Sequence, residues 1–366
     1  MKIINVAGAR PNFIKIAPLI AEMEKYQHIQ QVLVHTGQHY DENLSKIFFD
    51  DLAIPRPDIN MGIGSGAVTR EQQIEQISQH FSDILKAEKP DLVLVVGDVN
   101  STIACASAAK EQGIKVAHVE SGLRSFDLTM PEELNRIATD KISDFLYVTE
   151  VSGMENLKEG GMGDRAHLVG NVMIDSLVKM LEKSKRHSST LSSLHLEPGM
   201  YLVSTFHRPG NVDEKSTLQH LISAISIMTS HFPLVMPLHP RTKHSLERLG
   251  LLAELEAIPG LNIVDPMGYL DFINLVSQSA GVVTDSGGIQ EETSYLKVPC
   301  VTMRPNTERP VTIDQGTNVL IGSDLVQLKA NLASIQEGSF KQGHDIPLWD
   351  GKASSRIIEH LRQQLS

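Results

Sequence analysis

The stretch Val283-Thr284-Asp285-Ser286-Gly287-Gly288-Ile289-Gln290-Glu291-Glu292 decides the fold class. A short apolar run meets a turn of small residues, and a helical pattern follows at once. Small side chains at a helix start leave its free amides open to an approaching pyrophosphate. A plain strand–turn–helix junction shares this local pattern, so its weight depends on what surrounds it.

Working outward, the same unit recurs along the whole chain. Short β-branched runs occupy 2–7, 31–36, 92–96, 115–119, 145–149 and 166–169. A second set occupies 201–206, 234–238, 261–264, 281–284, 298–303 and 318–321. Helical periodicity fills the gaps, as in 69–87 and 215–231. Apolar runs without alternation indicate strands buried on both faces of a parallel sheet. The pattern is α/β, doubly wound, and it occurs twice. A polar, Ser-rich connection at 179–199 separates the two sets. The reading expects two Rossmann-like domains facing across a cleft, 1–178 and 199–350. An amphipathic helix follows in 351–366, packing back toward the first domain.

Length agrees with two domains, since 366 residues exceed one typical unit of about 150. Hydrophobic residues make up 41% and charged residues 21%, the balance of a globular protein. A net charge of −11 argues against bulk binding to nucleic acid or an anionic membrane, both of which need a basic surface. No apolar stretch is long enough to span a bilayer, and the first residues lack a signal-peptide pattern. Cys105 and Cys300 lie far apart in apolar surroundings and read as buried thiols. These features lead us to expect a cytoplasmic protein.

In open parallel sheets, ligands bind beyond the carboxyl ends of the strands. The first strand ends in Gly8-Ala9-Arg10-Pro11-Asn12-Phe13-Ile14-Lys15, where two cations flank a helix start. That suits an anion and lacks the three-glycine dinucleotide fingerprint. Gly97-Asp98 closes another apolar run, where Asp98 serves equally as an N-cap or as a carboxylate offered to a ligand. His118 and Glu120 alternate along the next strand, and Pro131-Glu132-Glu133 opens a helix. Helix-start chemistry accounts for each acid singly, but not for Asp98, Glu120 and Glu132 falling at one rim. Carboxylates around one pocket can be driven apart into an acid and a base. In the second half, His207-Arg208-Pro209 follows a strand directly, and His207 suits a phosphate contact or an acid.

These segments together resemble the non-hydrolysing UDP-N-acetylglucosamine 2-epimerases. The resemblance rests on Gly-Ala-Arg-Pro-Asn-Phe-Ile-Lys (8–15), Thr-Gly-Gln-His (36–39), Gly-Asp (97–98), His-Val-Glu-Ser-Gly-Leu-Arg (118–124) and Pro-Glu-Glu-Leu-Asn-Arg (131–136). It continues through His-Arg-Pro-Gly-Asn-Val-Asp (207–213), Asp-Ser-Gly-Gly-Ile-Gln-Glu-Glu (285–292), Thr-Glu-Arg-Pro (307–310) and Trp-Asp-Gly-Lys-Ala (349–353). It implies the GT-B architecture, a homodimer, and a reaction without metal or redox cofactor. UDP is eliminated from UDP-GlcNAc with loss of the C2 proton, then re-added to 2-acetamidoglucal to give UDP-ManNAc. The resemblance assigns catalysis to Asp98, Glu120, Glu132 and His207. It assigns the UDP side to Arg10, Lys15, Ser286, Gly287, Gly288 and Arg309, the uracil to Phe272 and the ribose to Glu292. Asn12 departs from the Glu that many members carry. Epimerases of UDP-2,3-diacetamido-glucuronate and GT-B glycosyltransferases are the neighbouring readings; the acidic cluster separates epimerisation from simple transfer.

Overall fold

The computed structural model describes residues 1–37, 54–63 and 69–365. The chain divides into two compact units, Met1–Lys179 with Pro347–Ser366, and Met180–Ile346.

Among the described residues, unit 1 holds seven strands: β1 (Lys2–Ala7), β2 (Gln30–His35), β3 (Ile59–Asn60), β4 (Leu92–Val96), β5 (Lys115–Ser121), β6 (Phe145–Val148) and β7 (Ala166–Leu168). They lie in the order β3-β2-β1-β4-β5-β6-β7, and every pairing is parallel. The order reverses between β1 and β4, the switch point at which such sheets open a crevice. β4 is Leu-Val-Leu-Val-Val and is wholly buried, as a strand covered on both faces must be. The helices α1 (Arg10–Met23), α2 (Asn100–Glu111) and α3 (Pro131–Ile142) follow β1, β4 and β5. Ala104, Cys105, Ala106, Ala108 and Ala109 of α2 are all buried, so small side chains let this helix lie close to the sheet.

Helix α4 (Val172–His187) extends into the polar segment 179–199 expected as a connection, and the division between the units falls at the start of that segment. Val172, Ile174, Leu177 and Met180 give it a buried stripe, and its Lys and Arg residues are good helix formers.

Unit 2 has six strands: β8 (Leu202–Thr205), β9 (Leu234–Pro237), β10 (Leu261–Val264), β11 (Gly281–Thr284), β12 (Cys300–Thr302) and β13 (Asn318–Leu320). Their order, β10-β9-β8-β11-β12-β13, is all parallel and reverses between β8 and β11. Helix α5 (Tyr269–Ser277) precedes β11, and α6 (Gly287–Leu296) follows it. The core beneath the sheet is built from Leu202, Phe206, Ile225, Met228, Val283, Val301, Leu328 and their neighbours.

The last helix, α7 (Ala353–Gln364), belongs to unit 1 and packs on α1. The Asp175 carboxylate accepts from Ala353 N at 3.0 Å, and from Ser354 N and Ser354 Oγ at 2.7 Å each. Trp349 Nε1 donates to the Thr149 carbonyl at 3.0 Å. Ile357, Ile358 and Leu361 are fully buried along the apolar face of α7.

Candidate functional site

Two groups of polar residues stand at strand ends, one in each unit. In unit 1 the first is built around Gly97. Its φ of +69° is a left-handed conformation that glycine adopts without strain. A Cβ at that position would lie 3.0 Å from Lys15 Nζ and 3.5 Å from Asn12 Nδ2. The bare backbone therefore leaves room for Lys15, which forms a buried ion pair with Glu120. Asn12 accepts from Ala9 N at 2.8 Å and donates to the Val96 carbonyl at 3.0 Å. A carboxylate can do only the first of these, so the Asn that departs from the family pattern also ties the end of β1 to β4.

Glu120 itself corrects the simple alternation with His118. The pairing of β5 with β6 shifts register between Val119 and Ser121, and Glu120 has φ +70°. The irregularity re-aims its side chain toward Lys15, as bulges beside functional sites do. His118 instead bonds Asp140 Oδ1 at 2.7 Å and the Gly97 carbonyl at 2.8 Å. Burial favours the protonated form of the Asp140 carboxyl. His118 and Arg124 outweigh that and hold it below the ordinary carboxylate range.

Asp98 pairs with Arg136 at 2.7 Å, and the other arm of Arg136 meets Glu133 at 2.5 Å. Asn135 Nδ2 donates to the Asp98 carbonyl at 2.8 Å. Thus α3 grips the Asp98 turn by side chain and by backbone. Glu133 also accepts from Ser125 N at 2.9 Å and Phe126 N at 3.1 Å, fixing the loop before α3. Glu132 sits in the first turn of α3, half-buried, four residues before Arg136 and so on the same helix face. Lys15, Asp98 and Glu120 thereby stand at the carboxyl end of the unit 1 sheet, and Glu132 stands on the first turn of the helix that follows β5. Arg10 opens α1, and its side chain lies outside the described residues, as do Gln38 and His39.

In unit 2, Asp285 is the buried anchor at the end of β11. It accepts from Arg208 N at 2.9 Å and Asn211 Nδ2 at 3.0 Å, and faces His207 Nδ1 at 3.1 Å. Burial would raise its carboxyl, but His207, Asn211 and the Arg208 amide hold it low. Ser286 is the N-cap residue of α6, and Gly287 and Gly288 form its first turn. A Cβ on Gly287 would lie 2.6 Å from Arg309 Nη1, so the guanidinium rests directly on the glycine. Arg309 Nε also bonds Glu291 at 2.6 Å. A helix N-terminus with a guanidinium laid across it is a site for an anion such as phosphate.

Farther along α6, Glu292 accepts from Tyr269 Oη at 2.7 Å. Burial pushes its carboxyl up to about 7, with the Tyr269 bond opposing and Glu291 reinforcing the rise. Phe272 lies three residues after Tyr269 on α5, half-buried against the cluster of Tyr201, Leu275, Val276 and Ile289. His207, Ser286, Gly287, Gly288 and Arg309 are brought together by these contacts, with Glu292 and Phe272 one layer away on α6 and α5.

Sequence reasoning passed over Glu133, Arg136, Asp140 and Asp285 as working parts. Glu133 read as routine helix-start acid; its burial at 1% exposure is what gives it a different role. The Pro-Glu-Glu-Leu-Asn-Arg segment carried that signal, since Arg136 falls three residues after Glu133.

Two parallel doubly wound units, each with polar residues gathered at its strand ends, define an α/β protein of the doubly wound ligand-binding class. The family model for UDP-N-acetylglucosamine 2-epimerase matches residues 21–362, and the chain belongs to that family. A UDP-N-acetylglucosamine 2-epimerase homolog of Methanococcus maripaludis is 42% identical over 363 residues, covering 99% of both chains. The UDP-2,3-diacetamido-2,3-dideoxy-D-glucuronate 2-epimerase of Pseudomonas aeruginosa is 39% identical, again over 99% of each. The crystal structure of the Methanocaldococcus jannaschii UDP-GlcNAc 2-epimerase with UDP-GlcNAc and UDP superposes with a TM-score of 0.92. Its identity is 37%, and the match covers 99% of this chain and 100% of that one. These solved and sequenced relatives agree with the two-domain GT-B class. Among the described residues no helix is long and apolar enough to cross a membrane.

Proposed function

We propose that the chain is a non-hydrolysing UDP-GlcNAc 2-epimerase, interconverting UDP-GlcNAc and UDP-ManNAc. The observation that carries this reading is the carboxylate set at the unit 1 strand ends, each of two acids held by its own cation: Asp98 by Arg136 and Glu120 by Lys15. Simple glycosyl transfer has no need of such a set, whereas C2 proton chemistry does.

The C2 hydrogen is weakly acidic, so departure of UDP must build positive character at C1 as the proton leaves. Asp98, Glu120 and Glu132 supply negative charge near that centre and move the proton. His207, steadied by Asp285, protonates the departing diphosphate. Arg10, Lys15, Arg309 and the Ser286-Gly287-Gly288 turn hold the UDP as it waits beside 2-acetamidoglucal. Phe272 lies by the uracil and Glu292 takes the ribose hydroxyls. UDP then returns to C1 while C2 is reprotonated on the opposite face. We place the enzyme in the cytoplasm as a homodimer acting in cell-surface polysaccharide biosynthesis, with no metal or redox cofactor.

The test is incubation with UDP-GlcNAc alone, followed by separation of the products. UDP-ManNAc is the expected product. Free ManNAc with UDP would mean a hydrolysing enzyme, and no conversion without an acceptor would mean a transferase. The Pseudomonas relative supplies a second substrate to run in parallel, UDP-2,3-diacetamido-glucuronate; exclusive turnover of that sugar would move the substrate and keep the reaction.

A further inference from the structure

We infer that His118 is held as an imidazolium and is the positioning residue that sets both carboxylate-bearing strand ends, Gly97-Asp98 and Glu120-Gly122. The inference rests on the epimerase reading only for the roles of Asp98 and Glu120. The state of the ring follows from its partners. Nε2 faces the Gly97 carbonyl at 2.8 Å, and a carbonyl can only accept, so Nε2 carries a proton. Nδ1 faces Asp140 Oδ1 at 2.7 Å. The other Asp140 oxygen already accepts from Gly122 N at 3.1 Å and pairs with Arg124 at 2.7 Å. A carboxyl that accepts from the Gly122 amide and pairs with the Arg124 guanidinium is held ionised despite its burial. An ionised Asp140 can only accept, so Nδ1 carries a proton as well. His118 and Asp140 are both fully buried, which leaves no water to offer either nitrogen an alternative partner.

The tethers explain why the charge is placed there. One end of the unit fixes the Gly97 carbonyl, one peptide before Asp98. The other end, through Asp140, fixes the amide of Gly122, two residues beyond Glu120. Between them lies the irregular part of β5, where the regular ladder with β6 does not hold Glu120 in place. Removing a proton from the ring would leave either the Gly97 carbonyl or the Asp140 carboxylate without its donor, and the spacing of the two strand ends would relax.

The wild-type protein, labelled with 15N-histidine, tests the ring directly. At neutral pH both His118 nitrogens should show a directly bonded proton, with the resonances assigned by their loss in His118→Gln. A bare ring nitrogen would overturn the inference, whatever the enzyme's substrate. Asp140→Asn tests the positioning. Misplacing catalytic groups by a fraction of an ångström to an ångström costs up to about a hundredfold in rate, so kcat should fall ten- to a hundredfold while KM and UDP affinity stay near wild type. Folded Asp140→Asn protein with wild-type kcat, only less heat-stable, would show a merely structural role and overturn the positioning claim. If wild-type protein shows the doubly protonated ring but epimerises no UDP-sugar, the functional reading fails and takes the positioning role with it, while the state of the ring stands.

Discussion

Lys15 Nζ occupies the space in which a side chain at position 97 would begin: a Cβ on Gly97 would lie 3.0 Å from it. The glycine thus serves two ends, the left-handed turn at the close of β4 and the seat of the Lys15–Glu120 pair. Gly97→Ala should cost about 1–2 kcal/mol for the backbone conformation alone. It should also displace Lys15 and lower turnover beyond what the lost stability explains. Denaturant unfolding and turnover on the same samples check this; a stable, fully active Gly97→Ala protein would refute the packing argument.

Asp98→Asn separates catalysis from the hold that Asp98 has on Arg136. Arg136 retains Glu133, so the variant should fold and bind UDP normally. Loss of a general acid or base costs ~10²–10⁴ in rate, and turnover should fall by that much. The N-cap of α2 is Val99, without a side-chain cap bond, so Asp98 is not the cap its position suggested; if it served only to hold Arg136, turnover would fall no further than stability does.

Glu120→Gln is not the clean partner experiment that side-chain size suggests. It removes the carboxylate facing buried Lys15, and breaking a buried pair in this way costs about 3–5 kcal/mol. The single variant should therefore melt lower as well as lose activity. Lys15→Met combined with Glu120→Gln should recover much of the stability and none of the turnover.

Glu292 gives unit 2 a pH signature. Its folded value, raised by burial to about 7, lies above the ordinary 4.5. A group raised on folding is protonated in both states below about 4.5, so it carries no penalty there. As the pH climbs toward 7 the unfolded chain sheds this proton first, and stability falls; above 7 the loss is complete, on the order of 3 kcal/mol. Glu292→Gln should flatten the stability profile across that window. It should also weaken UDP binding about ten- to a hundredfold, the usual effect of one lost charge-assisted hydrogen bond. Calorimetric titration with UDP and unfolding at several pH values read the two effects separately.

Asp175→Ala should loosen α7, whose first amides it caps. Caps of this kind contribute about 0.5–2 kcal/mol. Faster amide exchange confined to α7 and the face of α1 beneath it would be the sign.

The strands were the legible part of the sequence. Leu92–Val96 has the expected bounds because an unbroken apolar run has only one way to be buried in a parallel sheet, and Leu261–Val264 and Gly281–Thr284 match their expected bounds too. β3 escaped notice because Ile59–Asn60 is a two-residue edge with no periodicity to read. The reach of α4 to His187 was not read because Lys183, Ser184, Lys185 and Arg186 hide the helical period that a few spaced apolar residues set, although the division between the units does fall at Lys179, where the polar connection begins. At the site, carboxylates near strand ends were visible, but their partners were not. Glu120 turns toward Lys15 through a local break in register, and Asp140 meets His118 across 22 residues of chain. Neither relation has a spacing rule, since they depend on where the fold places β5 against α1 and α3.

Epimerisation by elimination and re-addition must break and remake the C2–H bond of the UDP-sugar. Incubating wild-type protein with UDP-GlcNAc in heavy water, and following C2 by proton NMR, tests it most directly. UDP-ManNAc is expected in the product, with deuterium at C2 of the recovered sugar nucleotides, and both should be lost in Asp98→Asn. Epimerisation with the original hydrogen fully retained at C2 would contradict that mechanism.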